Sequence, residues 1–262
     1  MRKLRWIFVF YFKLLAMKKN LLILFFFINL IGFAQNQYYE IRKYELPFNS
    51  SEDKLHEYFS KVLIPALNRY GVKNIGVFKT LGDPIPKEIY LFIPYKNVSH
   101  YGNILKELSK DKTYLNSRKI YDGVPESKKV YNRYHVSFLT AIDGLPKLIK
   151  PKRGSNLFEL RIYEGYSEDA VRRKIEMFNK DELKIFDDTG LYSVFFGEQI
   201  SGPLMPSLTY MLAFESMEER NTNWKKFSAD PNWKRISNLD KYSNTVSDIK
   251  RTFLIPLNYS QL

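Results

Sequence analysis

Glu40, Arg42 and Tyr44 stand at alternate positions in the segment Tyr39-Glu40-Ile41-Arg42-Lys43-Tyr44. The same three residue types recur at the same spacing, 119 residues later, as Glu159, Arg161 and Tyr163 in Phe158-Glu159-Leu160-Arg161-Ile162-Tyr163. An arginine offers a planar fork of donors that fits a carboxylate or a similar anion. Two arginines and two tyrosines lining one space could hold a small organic or anionic ligand. The competing reading is structural: each arginine pairs with the nearby glutamate and holds strands in register, because a buried charge needs a partner. Two diverged copies keeping one triplet favours the structural reading, since two equal binding sites would otherwise have to survive.

Little else in the chain points to a reaction. There is no cysteine, which removes thiolate nucleophiles, disulfides and cysteine metal sites together. Three histidines occur, His56, His100 and His135, and none has a second histidine at metal-ligand spacing. Each reads as an ordinary surface or interface side chain, and no metal and no cofactor are expected. No nucleophile elbow, phosphate loop or dinucleotide fingerprint is present. The aromatic share of 16% would suit an apolar pocket, and suits a ring-packed core better. Trp224, Asp230 and Trp233 read as anchors that hold a helix to its sheet.

The elements that carry these residues come twice in one order. The alternation around Glu40 predicts a strand with the triplet on one face and Tyr39 and Ile41 on the other. The apolar face suits helix packing, so the triplets are expected in an interior between two sheets. Ser50-Ser51-Glu52-Asp53 starts a helix carrying Leu55, Phe59 and Leu63, which Pro65 should bend and Gly71 should stop. Val72–Leu81 and Glu88–Tyr95 read as strands around a Gly82-Asp83-Pro84 turn. A helix over Val98–Leu108 and a strand over Val130–Leu139 complete the unit. The second unit repeats β-α-β-β-α-β from Phe158 to Leu257, with Gly190 ending its first helix and Asp230-Pro231 starting a helical turn. Gly71 answers to Gly190 and Tyr95 to Phe214; a one-residue insertion is expected to pair Gly82 with Gly202 and Tyr90 with Tyr210. The fold class is therefore α+β, with two tandem ferredoxin-like units whose antiparallel sheets face each other in a pseudo-dimeric barrel. Repeat one covers 37–142, the linker 143–155 and repeat two 156–258.

Residues 1–34 read as a leader. Met17-Lys18-Lys19, the apolar run Leu21–Ile31 and Gly32-Phe33-Ala34 have the layout of a secretory signal peptide, with Met17 as the true start and cleavage after Ala34. The apolar run is short for a membrane span. A mature chain starting at Gln35 would have no stable span and would be periplasmic or secreted. The net charge of +13 would fall to +7, because the leader holds Arg2, Lys3, Arg5, Lys13, Lys18 and Lys19 and no acidic residue. Such a balance helps solubility, and no basic run lies on a nucleic-acid motif.

The E-x-R-x-Y strand, the run Tyr210-Met211-Leu212-Ala213-Phe214 before Glu215-Ser216, Arg220, Trp224 and Asp230-Pro231-Asn232-Trp233 together resemble the NIPSNAP family, within the dimeric α/β-barrel group. Repeat two fits nearly throughout. Repeat one is divergent: it has Ile93-Pro94-Tyr95 in the strand, Tyr101 for the arginine and Leu105 for the tryptophan. The resemblance implies a tandem fold and supplies no catalytic residues. The expected role is small-ligand binding between the repeats, or a purely structural one. A cofactor-independent oxygenase or isomerase for an apolar substrate is the enzymatic alternative, and a protein-interaction module or homo-oligomer the third.

Overall fold

The structure is a computed structural model and describes residues 35–48 and 51–262. The leader, with its predicted start and cleavage point, lies outside the described residues, as does Ser50. Among the described residues no helix is long and apolar enough to cross a membrane.

Eight antiparallel strands close into one barrel. They are β1 (Tyr38–Glu45), β2 (Gly76–Thr80), β3 (Glu88–Tyr95), β4 (Arg133–Ala141), β5 (Leu157–Glu164), β6 (Tyr192–Ser201), β7 (Ser207–Phe214) and β8 (Asp248–Pro256). Their order around the barrel is β1-β3-β2-β8-β5-β7-β6-β4. The first four strands thus run β4-β1-β3-β2 and the last four β8-β5-β7-β6, the same order twice. The contacts β2–β8 and β4–β6 join the two sets, so no strand is left with an open edge.

Each half crosses from its first to its second strand by a helix with a π turn at the same place. In α1 the turn Tyr58–Leu63 lies between Asp53–Glu57 and Ile64–Arg69. In α5 the turn Phe178–Glu182 lies between Glu168–Met177 and Leu183–Thr189. Pro65, expected to bend α1, sits just after its π turn, and the helix continues to Arg69. The α5 turn contains no proline, so proline is not the shared cause. What the two turns share is a buried ring, Phe59 and Phe178, set against Tyr44 and Tyr163. Gly71 and Gly190 end these helices at φ 82° and 81°, a conformation that costs other residues about 1–2 kcal/mol.

The second crossings are α2 (Val98–Leu108), α3 (Lys112–Ser117) and α4 (Lys119–Asp122) in the first half. In the second they are α6 (Met217–Ala229) and α7 (Pro231–Ser237). Asn97, Ser167, Ser216 and Asp230 cap helix starts with side-chain oxygens, as their types favour.

Both faces of the sheet are buried. Two apolar clusters lie between barrel and helices, one per half. A third fills the deep end of the barrel and draws on both halves: Tyr39 and Phe92 meet Phe195, and Phe78 meets Phe158. Leu148 of the linker and Leu262 pack onto this cluster and close that end. Gln261 also ties the terminal segment to β2 through Ile75.

Candidate functional site

The triplets do not face the barrel interior. Tyr39, Ile41, Phe158 and Leu160 do, and Glu40, Arg42, Tyr44, Glu159, Arg161 and Tyr163 lie on the helix-covered face. The alternation is as predicted and its sidedness is reversed. An interior shared by eight strands admits large apolar side chains with no helix at hand to pair a charge. The helix side supplies those partners.

In the second half Arg220 of α6 grips Glu159 with two bonds of 2.9 Å, and Trp224 Nε1 donates to Glu159 at 2.8 Å. Arg161 reaches Glu159 at 3.3 Å and lies 4.3 Å over the Trp224 ring. Behind them Lys174 and Glu182 pair at 2.6 Å, both buried. Burial pushes the Glu182 carboxyl up against the pull of Lys174. Tyr210 donates to Tyr163 at 2.7 Å, and burial raises the Tyr163 phenol to about 12.

The first half is simpler. Glu40 accepts from Arg42 at 2.6 Å and from Tyr95 at 2.8 Å. Burial lowers the Arg42 value, and Glu40 more than offsets it, so the guanidinium stays charged. Leu55 and Leu63 occupy the places of Lys174 and Glu182 at the 119-residue offset. Asp230 caps α7 through the N–H groups of Asn232 and Trp233, and Trp233 packs on Phe227.

The strand registers correct one pairing. Tyr90 stands opposite Lys43, and Tyr210 stands opposite Arg161. Tyr90 therefore corresponds to Thr209 and points inward, whereas Tyr210 belongs to the helix face. Any inserted residue falls in the β2–β3 or β6–β7 turn rather than within the third strands.

Successive layers of inward side chains run from the filled end of the barrel to the other mouth. Ile41 and Ser137 sit at the level of Leu160 and Thr252; Lys43, Tyr90 and His135 at the level of Ile162, Thr209 and Lys250. Between these layers is a cavity of about 530 Å³, rimmed by Glu45 and Glu88 and covered on one side by Pro203 and Leu204 of the β6–β7 turn. Leu204 is held at φ 64°, which a branched side chain rarely adopts.

The two walls differ chemically. On the first-half wall His135 Nε2 lies 3.3 Å from Glu45 Oε1, Lys43 bridges Glu45 and Glu88 at 3.0 Å each, and the Tyr90 hydroxyl donates to Glu88 at 2.9 Å. Burial pulls the Lys43 ammonium down, and its two carboxylate partners carry it net upward. The bond to Lys43 lowers Glu45. Burial, helped by Glu88, raises the Tyr90 phenol well above its ordinary value, so it stays protonated. The second-half wall is Leu160, Ile162 and Thr209, with Lys250 at the rim. Thr209 Oγ1 is buried and has no hydrogen-bond partner among the described residues.

None of these cavity residues was singled out for chemistry from the sequence, where His135 read as an ordinary surface side chain. The only available signal was its place in the last strand of the first unit. That it faces Lys43 across a ladder is known only from the register.

Residues 158–261 match the sequence model of the NIPSNAP family. No curated protein matches the chain. Among solved structures, a candidate monooxygenase from Lactobacillus acidophilus NCFM shares 12% identity at a TM-score of 0.56, over 85% of this chain and 94% of its own. An anthrone oxidase-like protein shares 8% at 0.50, over 85% and 92%. A NIPSNAP family protein of unknown function from Agrobacterium tumefaciens shares 16% at 0.35, over 42% and 94%. The first two likenesses span both halves and establish the barrel fold alone. The second half of the chain, residues 158–261, is a NIPSNAP domain.

Proposed function

We propose that this chain binds a small, largely apolar organic molecule in the open end of its barrel. The cavity carries the reading: its volume lies in the range that encloses a small ligand, and its lining is an apolar floor with a few polar groups at one level. The far end is plugged, so a ligand has one way in. Leu204, exposed and part of the cavity lining, suits an apolar entrant. The Glu-Arg-Tyr triplets serve in this reading as braces between sheet and helices.

The test is titration with N-phenyl-1-naphthylamine, a neutral probe whose emission rises in apolar surroundings. Wild type should bind one equivalent. Ile162→Trp and Ser137→Phe, at half-buried cavity positions, should each weaken binding about tenfold or more, some 1.4 kcal/mol. Unchanged affinity in both variants would place the probe elsewhere and reject the cavity.

A second reading, a cofactor-independent oxygenase or isomerase, is favoured by the titratable wall beside the apolar one. The monooxygenase and oxidase-like names of the fold relatives agree with it as analogy. The repeated strand order supports reading the barrel as two tandem ferredoxin-like units, the first too diverged to match the family's sequence model. Export is proposed from the leader layout; amino-terminal sequencing from the native host should start at Gln35, and an intact leader would refute it.

A further inference from the structure

The mouth of the barrel allows a position-by-position comparison of the two halves, because the ladders fix which residues correspond. Lys43 corresponds to Ile162, Tyr90 to Thr209 and His135 to Lys250, while Glu88 corresponds to Ser207. With Glu45, which corresponds to Glu164, five first-half positions carry titratable groups. Their second-half counterparts carry two, Lys250 and Glu164, at the rim. The half that matches the family model thus has the less charged wall, and the diverged half the more charged one.

The charged wall is also connected. His135, Glu45, Lys43, Glu88 and Tyr90 form an unbroken chain of contacts between 2.9 and 3.3 Å. His135 Nε2 lies at ion-pair distance, 3.3 Å, from Glu45 Oε1; a proton held on Nε2 by that carboxylate would make Nδ1 the basic nitrogen. Opposite this wall Thr209 belongs to the cavity lining, and its buried hydroxyl has no hydrogen-bond partner among the described residues.

We propose that the cavity is a proton-transfer site for an enolisable ketone with an apolar body: His135 is the base, and Thr209 is the donor to the ketone oxygen. The proposal rests on the cavity being the ligand site. The C–H bond next to the carbonyl breaks, and its proton passes to Nδ1. Its electron pair becomes a carbon–carbon double bond, while the carbonyl π pair moves onto oxygen, where the Thr209 hydroxyl donates to it. Returning the proton to the same carbon gives exchange with solvent. Returning it two carbons further along an unsaturated ketone moves the double bond. Neither outcome needs an oxidant or a cofactor. Glu45 acts as a positioning residue, orienting the ring and stabilising the imidazolium.

The charged groups around His135 are Glu45 and Lys43 on β1, Glu88 on β3, Arg133 on its own strand and Lys250 across the cavity on β8. The β6–β7 turn beside the cavity contributes Pro203 and Leu204, which do not titrate.

The experiment uses 2-tetralone in deuterium oxide, with proton NMR following loss of its C1 hydrogens and saturation transfer reporting binding. Wild type should bind the ketone and accelerate exchange about 10²-fold or more over buffer, the scale of a positioned general base. His135→Ala should keep binding and lose the acceleration, and added imidazole should restore part of it. Glu45→Gln should keep binding and lower the exchange rate, and Glu45→Asp should restore part of it. Binding without acceleration in wild type, or acceleration surviving in His135→Ala, overturns the acid–base assignment and leaves the cavity reading standing. Failure of wild type to bind 2-tetralone, or equal binding by Ile162→Trp, removes both.

Discussion

Lys174 and Glu182 show what one pair of residues contributes, because the other half of the molecule is a natural comparison. Both are buried and 2.6 Å apart, yet Leu55 and Leu63 fill the same two places in the first half. Desolvating two charges costs about as much as their attraction returns, so an apolar pair of similar size should serve as well. The double change Lys174→Leu with Glu182→Leu is expected to leave the melting temperature unchanged or higher. Glu182→Leu alone should cost about 3–5 kcal/mol, because it strands the ammonium. Urea unfolding of the two singles and the double measures this, and a double as unstable as the worse single would contradict it. Arg42 and Arg161 should also differ. Arg42→Met leaves Glu40 with only the Tyr95 hydroxyl, whereas Arg161→Met leaves Glu159 held by Arg220 and Trp224. The first should be the more destabilising, and the reverse order would refute the brace reading. The sign of the Glu45 effect follows from its depressed value. Its contact with Lys43 stabilises fully at neutral pH and is lost as pH falls through the folded-state value. The stability difference between wild type and Glu45→Gln should therefore narrow in acid.

The helices depend on their ends. Gly190 combines φ 81° with close approach, since an added Cβ would lie 3.0 Å from the Asn223 side-chain nitrogen that donates to Gly190 O. Gly190→Ala should cost about 1–2 kcal/mol for the backbone conformation, plus any displacement of Asn223. Asp230→Ala should cost about 1 kcal/mol through loss of the α7 cap. At this chain length each kcal/mol should lower Tm by about 2–4 °C in a calorimetric scan. An unchanged Tm for both variants would show that tertiary packing, not end chemistry, sets these boundaries. Both devices were legible in the sequence, because glycine after a periodic run and Asp-Pro before one are local signals. The paired π turns were not legible. The segments share Glu57-x-Phe59-x-Lys61 and Glu176-x-Phe178-x-Lys180, whose Glu–Lys pairs suit any exposed helix turn and do not call for a π turn.

At the scale of the whole molecule, neither half is a finished object. Cutting between β4 and β5 would free the β2, β8, β4 and β6 edges and uncover Tyr39, Phe92, Phe158 and Phe195 together. Residues 156–262 expressed alone should therefore self-associate, pairing β8 of one copy with β6 of another to close a barrel. Sedimentation showing a stable monomer would count against this.

The repeat itself, its element order and its stops could be read from residues alone, since each rests on local backbone chemistry or on period-two and helical spacing. So could the fact that Glu40, Arg42 and Tyr44 share a face. Which face that is could not be read. In a strand covered on both sides, alternation separates two environments without naming them, and here the apolar set filled the barrel while the charged set went to the helices. The cavity lay further out of reach. His135 and Glu45 are 90 residues apart, and Lys43 becomes part of a proton-handling wall only when β3 and β4 flank β1 in one register. Sequence determined what each half is made of. Barrel closure decided which side chains meet inside it, because that depends on strand pairing between distant segments and on which surface the helices cover.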